Sequence, residues 1–184
     1  NMQKALVGAI VKGQVLVEVM KRAAQAFAGV IKTGIGGVAQ MEQMEVVMAT
    51  TTRDMAKARN LLAEATKFAA ETPFEIPEVV QATVRLQTYS LEAQKVLRIV
   101  GDMAAVMGKP LMQAVEAIAD AQAGELERLK EFGITKRQLV EAGLKINARG
   151  SIEDMQSLND ALFKIMEQRF GGGMKLMTQT FIGL

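Results

Sequence analysis

Apolar residues recur at helical spacing along nearly the whole of this chain. Leu6, Ile10, Val17, Met20, Ala24, Phe27 and Ile31 are separated by three, four or seven positions, the period of one helix face. That stripe predicts a first helix over about 2–31, with a partner helix, another subunit or a membrane surface against it. Gly34, Gly36 and Gly37 follow. Each glycine inside a helix costs about 1 kcal/mol against alanine, so a break or hinge is expected there. A second helix is expected over about 38–70. The row Thr50-Thr51-Thr52 weakens it, because β-branched side chains lose rotamers against the preceding turn. That leaves room for a loop near 49–54, with Asp54 starting the helix after it.

Beyond residue 70 the periodic stretches shorten and stop signals multiply. Thr72-Pro73-Phe74-Glu75 reads as a capping box, with Thr72 as cap, Pro73 in the first helical position and Glu75 reaching back. Phe74 is expected to anchor this turn in the core. Pro77 disfavours a helical residue before it, so the next helix is expected over about 77–88 and is broken at Tyr89-Ser90. Another helix is expected over about 91–107, with Gly108 as its left-handed end. Lys109 then links to Pro110, which opens a helix to about Gln122. Gly124 permits a bend, and 126–132 reads as a short helix ended by Gly133. Thr135 and Gln138 form a second capping box for a short helix ended by Gly143. Residues 145–150 read as a loop. Ser151-Ile152-Glu153-Asp154 reads as a cap signature before a helix to about Arg169. Gly171-Gly172-Gly173 ends that helix or acts as a hinge.

With no sustained period of two, the fold class is all-α: a multi-helix bundle with a long N-terminal helix and short capped helices in the C-terminal half. Two parts are expected, an apolar helical extension over 1–37 and a helical domain over 38–184. Gly34, Gly36, Gly37 and Gly171 are the expected hinges.

Composition changes this picture mainly by removing chemistry. The chain has no His, Cys or Trp, so it offers no thiolate, no imidazole base and no disulfide framework. Carboxylates alone remain as metal ligands, and Glu71, Glu75 and Glu78 around one turn read as capping and dipole complements rather than as a site. Nucleophilic catalysis needs a base, and none is evident. No catalytic, cofactor-binding or metal-binding residue is therefore assigned, and the chain reads as a non-enzyme. The 22 basic and 20 acidic residues leave a net charge of only +2, too small a bias for a nucleic-acid footprint. Aromatics are 4%, so the core has to be built from aliphatic side chains and Met, which fills irregular gaps.

Five segments, in order, resemble one family. Residues 68–77 contain Thr72, Pro73, Phe74, Glu75 and Pro77. Residues 97–104 contain Gly101 and Asp102. Gly108-Lys109-Pro110-Leu111 follows, then 124–134 with Gly133. Arg169-Phe170-Gly171-Gly172-Gly173-Met174 and Gly183-Leu184 close the series. Singly each is weak; together, over about 41–184, they resemble the conserved domain of phage tail tape measure proteins.

That resemblance implies a structural virion protein made in the host cytoplasm and resident in the tail lumen or at the tail tip. It implies other copies of itself and tail tube and tip or baseplate proteins as partners, and exit ahead of the DNA at infection. No cofactor and no specific nucleic-acid binding are implied. Fully helical, 184 residues would reach on the order of 280 Å, and the many caps forbid that extension. The chain is thus expected to be a folded module of a longer ruler. The alternative is a membrane-active helical protein, whose N-terminal segment carries Lys12, Lys21 and Arg22 beside its apolar stripe and contacts the host envelope transiently.

Overall fold

The computed structural model describes residues 37–182, with side chains at 39 and 41–179. The expected helix over 2–31, the hinge residues Gly34 and Gly36, and Gly183-Leu184 lie outside the described residues. The fold is all-α. In order come α1 (Gly37–Thr52), α2 (Met55–Glu71), α3 (Ile76–Thr88), α4 (Ala93–Met107), α5 (Leu111–Gln122), a 3-10 helix (Glu127–Phe132), α6 (Lys136–Glu141), α7 (Met155–Phe170) and α8 (Gly173–Ile182). Among the described residues there is no strand. An isolated bridge between Ile146 and Ile152 closes the loop before α7.

The chain divides into two compact units, with the boundary between Ala63 and Glu64 inside α2. Gly37, expected as a hinge, is the first residue of α1. In the first unit α1 runs through the threonine row instead of breaking at it. The Thr50, Thr51 and Thr52 hydroxyls donate to the carbonyls of Val46, Val47 and Met48 at 2.8, 2.9 and 2.8 Å. This back-bonding to residue i−4 lets such side chains remain helical. The break comes at Arg53, whose φ is 56°. Asp54 then starts α2, its Oδ1 accepting from the Lys57 N–H at 3.0 Å. Met44, Val47 and Met48 on α1, and Ala58, Leu61 and Leu62 on α2, are buried at the same one-three-four spacing.

In the second unit α4 is the central helix. It packs against α3, α5, α7 and α8, while α3 also packs on α5, the 3-10 helix on α5 and α6 on α7. The core is aliphatic and small: Val79, Val80 and Leu86 from α3, Val100, Met103 and Ala104 from α4, Ala114, Val115 and Ile118 from α5, and Leu158, Leu162 and Met166 from α7, all buried. Alanines on α5 allow its neighbours to approach closely. Phe132 is fully buried, and buried Met103, Met166 and Met174 fill the remaining gaps.

One ion pair ties α3 to α5: Arg85 Nη2 donates to Glu116 Oε2 at 2.8 Å, and the guanidinium lies 5.0 Å from the Tyr89 ring centroid. Burial works against the Arg85 charge, but the Glu116 hydrogen bond and the negative groups around it outweigh burial and hold the guanidinium above its ordinary range.

Candidate functional site at the Asp102 clamp

The residues singled out by the sequence converge most densely where α8 crosses α4. Asp102 sits on the buried face of α4 at 4% exposure. Its Oδ2 accepts the Gly172 N–H at 3.0 Å and its Oδ1 accepts the Met174 N–H at 2.9 Å. These are unsatisfied amides at the start of α8, and a carboxylate there also complements the helix dipole. The cap therefore comes from another helix, 70 residues away in sequence.

Glycine makes the crossing close enough for that contact. A Cβ at Gly101 would stand 2.6 Å from Met174 Sδ and 3.3 Å from Phe74 Cε2. At Gly173 a Cβ would collide with a Val106 methyl and lie 2.8 Å from the Asp102 carbonyl oxygen. Gly172 has φ 81°, a left-handed conformation that favours glycine. Phe74, Gly101, Asp102, Gly172, Gly173 and Met174 thus form one joint. Phe74 is half-buried at its edge rather than fully in the core.

A second cluster lies around Gly133. Its carbonyl accepts from Arg169 Nη1 at 2.7 Å, and the Arg169 guanidinium stands 5.1 Å from the Phe170 ring centroid. Gly133, with φ 68°, ends the 3-10 helix. Phe170 is 4% exposed.

The Gly108-Lys109-Pro110 segment joins α4 to α5. Gly108 closes α4 at φ 61°, and Pro110 is the residue before α5. Lys109 Nζ lies 5.5 Å from the Phe132 ring centroid. The N-terminus of α5 takes its cap from a distance: Leu111 N–H donates to Glu78 Oε1 at 2.8 Å.

Three cap assignments need correction. Thr72 caps nothing ahead of it; its hydroxyl donates back to the Phe68 carbonyl at 2.8 Å. Glu75 is the residue before α3, with an extended backbone and no side-chain cap bond, so Pro73 lies outside the helix and Pro77 within its first turn. Pro77 already supplies one position without an N–H, which leaves less for a Thr72 cap to satisfy. Before α7 the cap is Asp154, whose Oδ1 accepts from Ser157 N–H at 2.7 Å, and Ser151 instead belongs to the preceding loop. The Thr135–Gln138 box forms in both directions as expected. Gly171, expected as a hinge, stands between α7 and α8, where a Cβ would come within 2.6 Å of the Glu167 carbonyl oxygen.

Sequence reasoning read Glu78 as a capping carboxylate but not that it caps α5, and it missed Asp102 as a cap and the contact of Met174 with Gly101. Only an acidic residue on an otherwise apolar face, such as Asp102 between Gly101 and Met103, could have hinted at a buried partner. Among the described residues, no group of three or more acidic side chains is placed to hold a metal ion. Both Asp102 oxygens are engaged by backbone amides, which suits a clamp. A shallow cleft of about 430 Å³ lies by the loop before α7, lined by Gln122, Lys136, Ser151 and Met155 among others. Lys136 Nζ donates to the Gly150 carbonyl there. Neither a family model, nor a curated protein, nor a solved structure matches the chain. Among the described residues, no helix is long and apolar enough to cross a membrane.

Proposed function

We propose that the chain is a folded structural module of a phage tail tape measure protein. It works in the virion, in the tail lumen or at the tail tip, among copies of itself and against tail tube and tip proteins. The observation that carries this reading is the ordered series of five motif segments between 68 and 184. Its support from geometry is that motif residues far apart in sequence, Phe74, Gly101, Asp102 and Gly172-Gly173, meet in one close-packed joint. The joint gives these motif residues a packing role, and the absence of His and Cys leaves little material for a catalytic alternative.

The module does not itself measure length; it docks the ruler to the tube and tip proteins around it. Genetics with electron microscopy tests this. In the particle whose gene encodes the chain, in-frame lengthening of the region flanking the module should lengthen the tail in proportion. Disrupting the module should instead give short or missing tails. Normal tails after deletion of the gene would overturn the proposal. If the isolated chain binds anionic lipid vesicles while tails are unaffected, the membrane-active reading takes its place.

A further inference from the structure

The loop before α7 carries an open backbone edge beside a cleft, and neither belongs to the Asp102 joint. Asn147 N–H donates to the Ser151 carbonyl at 2.9 Å, and Glu153 N–H donates to the Lys145 carbonyl at 3.0 Å. These bonds flank the Ile146–Ile152 bridge and make it the non-hydrogen-bonded kind of antiparallel pair. In that kind, the N–H and C=O of both central residues point away from the partner strand. Ile152 therefore turns both groups outward, and no backbone group among the described residues bonds them. The cleft of about 430 Å³ is lined by Gly150, Ser151 and Ile152 but by none of 145–147. It thus lies on the outer side of this strand, where the open edge is, and its volume is in the range of ligand sites.

The side chains around the edge select the ligand. Leu126, Ile152 and Met155 give the cleft apolar surface, with Met155 36% exposed. Among the described residues, Lys136 is the single charged residue that lines it. Its Nζ donates to the Gly150 carbonyl, which leaves two of the three ammonium donors for an acceptor in the cleft. Asp154, two residues beyond Ile152, already accepts from the Ser157 amide. The chain's own N-terminal segment has the wrong charge to be the occupant: Lys4, Lys12, Lys21, Arg22 and Lys32 stand there against Glu18.

We infer that this cleft binds an extended, acidic peptide segment of a partner protein, whether or not the chain works in a tail. The segment lies along 150–152 as an added strand and exchanges main-chain bonds with the Ile152 N–H and C=O. A carboxylate of the segment accepts from Lys136, and an apolar side chain rests on Leu126 and Met155. The main-chain bonds make little demand on sequence, so the charge supplies the selectivity.

The experiment titrates the full, ¹⁵N-labelled chain with the peptide acetyl-Thr-Val-Asp-Val-Thr-amide up to millimolar concentration. Amide resonances of 150–152 and Lys136 should shift, and hydrogen exchange of the Ile152 amide should slow about tenfold at saturation. The same peptide with Asn in place of Asp should bind about tenfold more weakly, as should the Asp peptide on Lys136→Gln. The Asp peptide methylated at every backbone nitrogen should cause no shift. The Asn peptide reads the charge on the wild-type chain, so the test stands even where Lys136→Gln fails to fold. No shift in the cleft residues, equal binding of the Asp and Asn peptides, or an unchanged Ile152 exchange rate would overturn the inference. The same shifts from sodium acetate alone would mark a bare anion site and overturn it too.

Discussion

The α4–α8 crossing and the segment from the 3-10 helix through α6 both use glycine and a polar cap to organise helix ends, but over different distances. In the segment around α6, Gly133 ends one helix in the left-handed region, and Thr135 starts the next through a box closed by Gln138, three residues on. Both caps are local, although the Gly133 carbonyl also accepts from Arg169. At the crossing, Gly101 and Gly173 serve the approach of two helices, and the cap on α8 comes from Asp102 across 70 residues. The first arrangement is formed by the local chain and trimmed by packing. The second exists only once α4 is buried, so its loss unfastens a whole helix rather than fraying one turn.

Substitutions can break this contrast in graded steps. The largest effect is expected from Asp102→Ala, which leaves the buried Met174 amide and the part-buried Gly172 amide without their charge-assisted partner. Stability should fall by about 3 kcal/mol, which corresponds to a melting temperature lower by roughly 6–12 °C in a chain of this size. Hydrogen exchange should quicken selectively in α8. Uniform quickening in all helices would show that α8 is no separate unit.

Gly101→Ala comes next, at about 2 kcal/mol from overpacking against Met174 and Phe74. The cost should shrink in a Met174→Ala background, because the methyl group then has space; a double-mutant cycle with no coupling would refute the close contact. Thr135→Ala should cost about 1 kcal/mol, the value of one local cap, with urea denaturation as the measure. Thr72→Ala should stay within about 0.5 kcal/mol, since its hydroxyl bonds only back to Phe68 in α2. A Thr72 loss as large as that of Thr135 would mean that the two turns are alike after all.

The shared cap signature at Thr72 and Thr135 makes that last comparison useful. Both present a threonine followed three residues later by an acid or amide. At 135 the residue before the helix takes the extended conformation that aims the hydroxyl at the free amide. At 72 two prolines occupy the turn, the helix begins only at Ile76 and Thr72 remains tied to α2. A cap signature states what a side chain can do; the register of the following helix decides whether it does.

The sequence by itself determined the all-α class, most helix ends after residue 70, the left-handed glycines at 108 and 133 and the box at 135. These depend on propensities and on bonds spanning a few residues, which the chain satisfies wherever it sits. It also pointed to Gly101, Asp102 and Gly172-Gly173 as residues that matter, without saying how. Tertiary structure alone decided that they meet, that Asp102 caps α8 and that Glu78 caps α5. It also placed the first unit's limit within α2. A buried carboxylate takes its partner from whatever helix packing brings within hydrogen-bond reach. That partner is fixed by the crossing of two helices far apart in sequence, which no local pattern encodes.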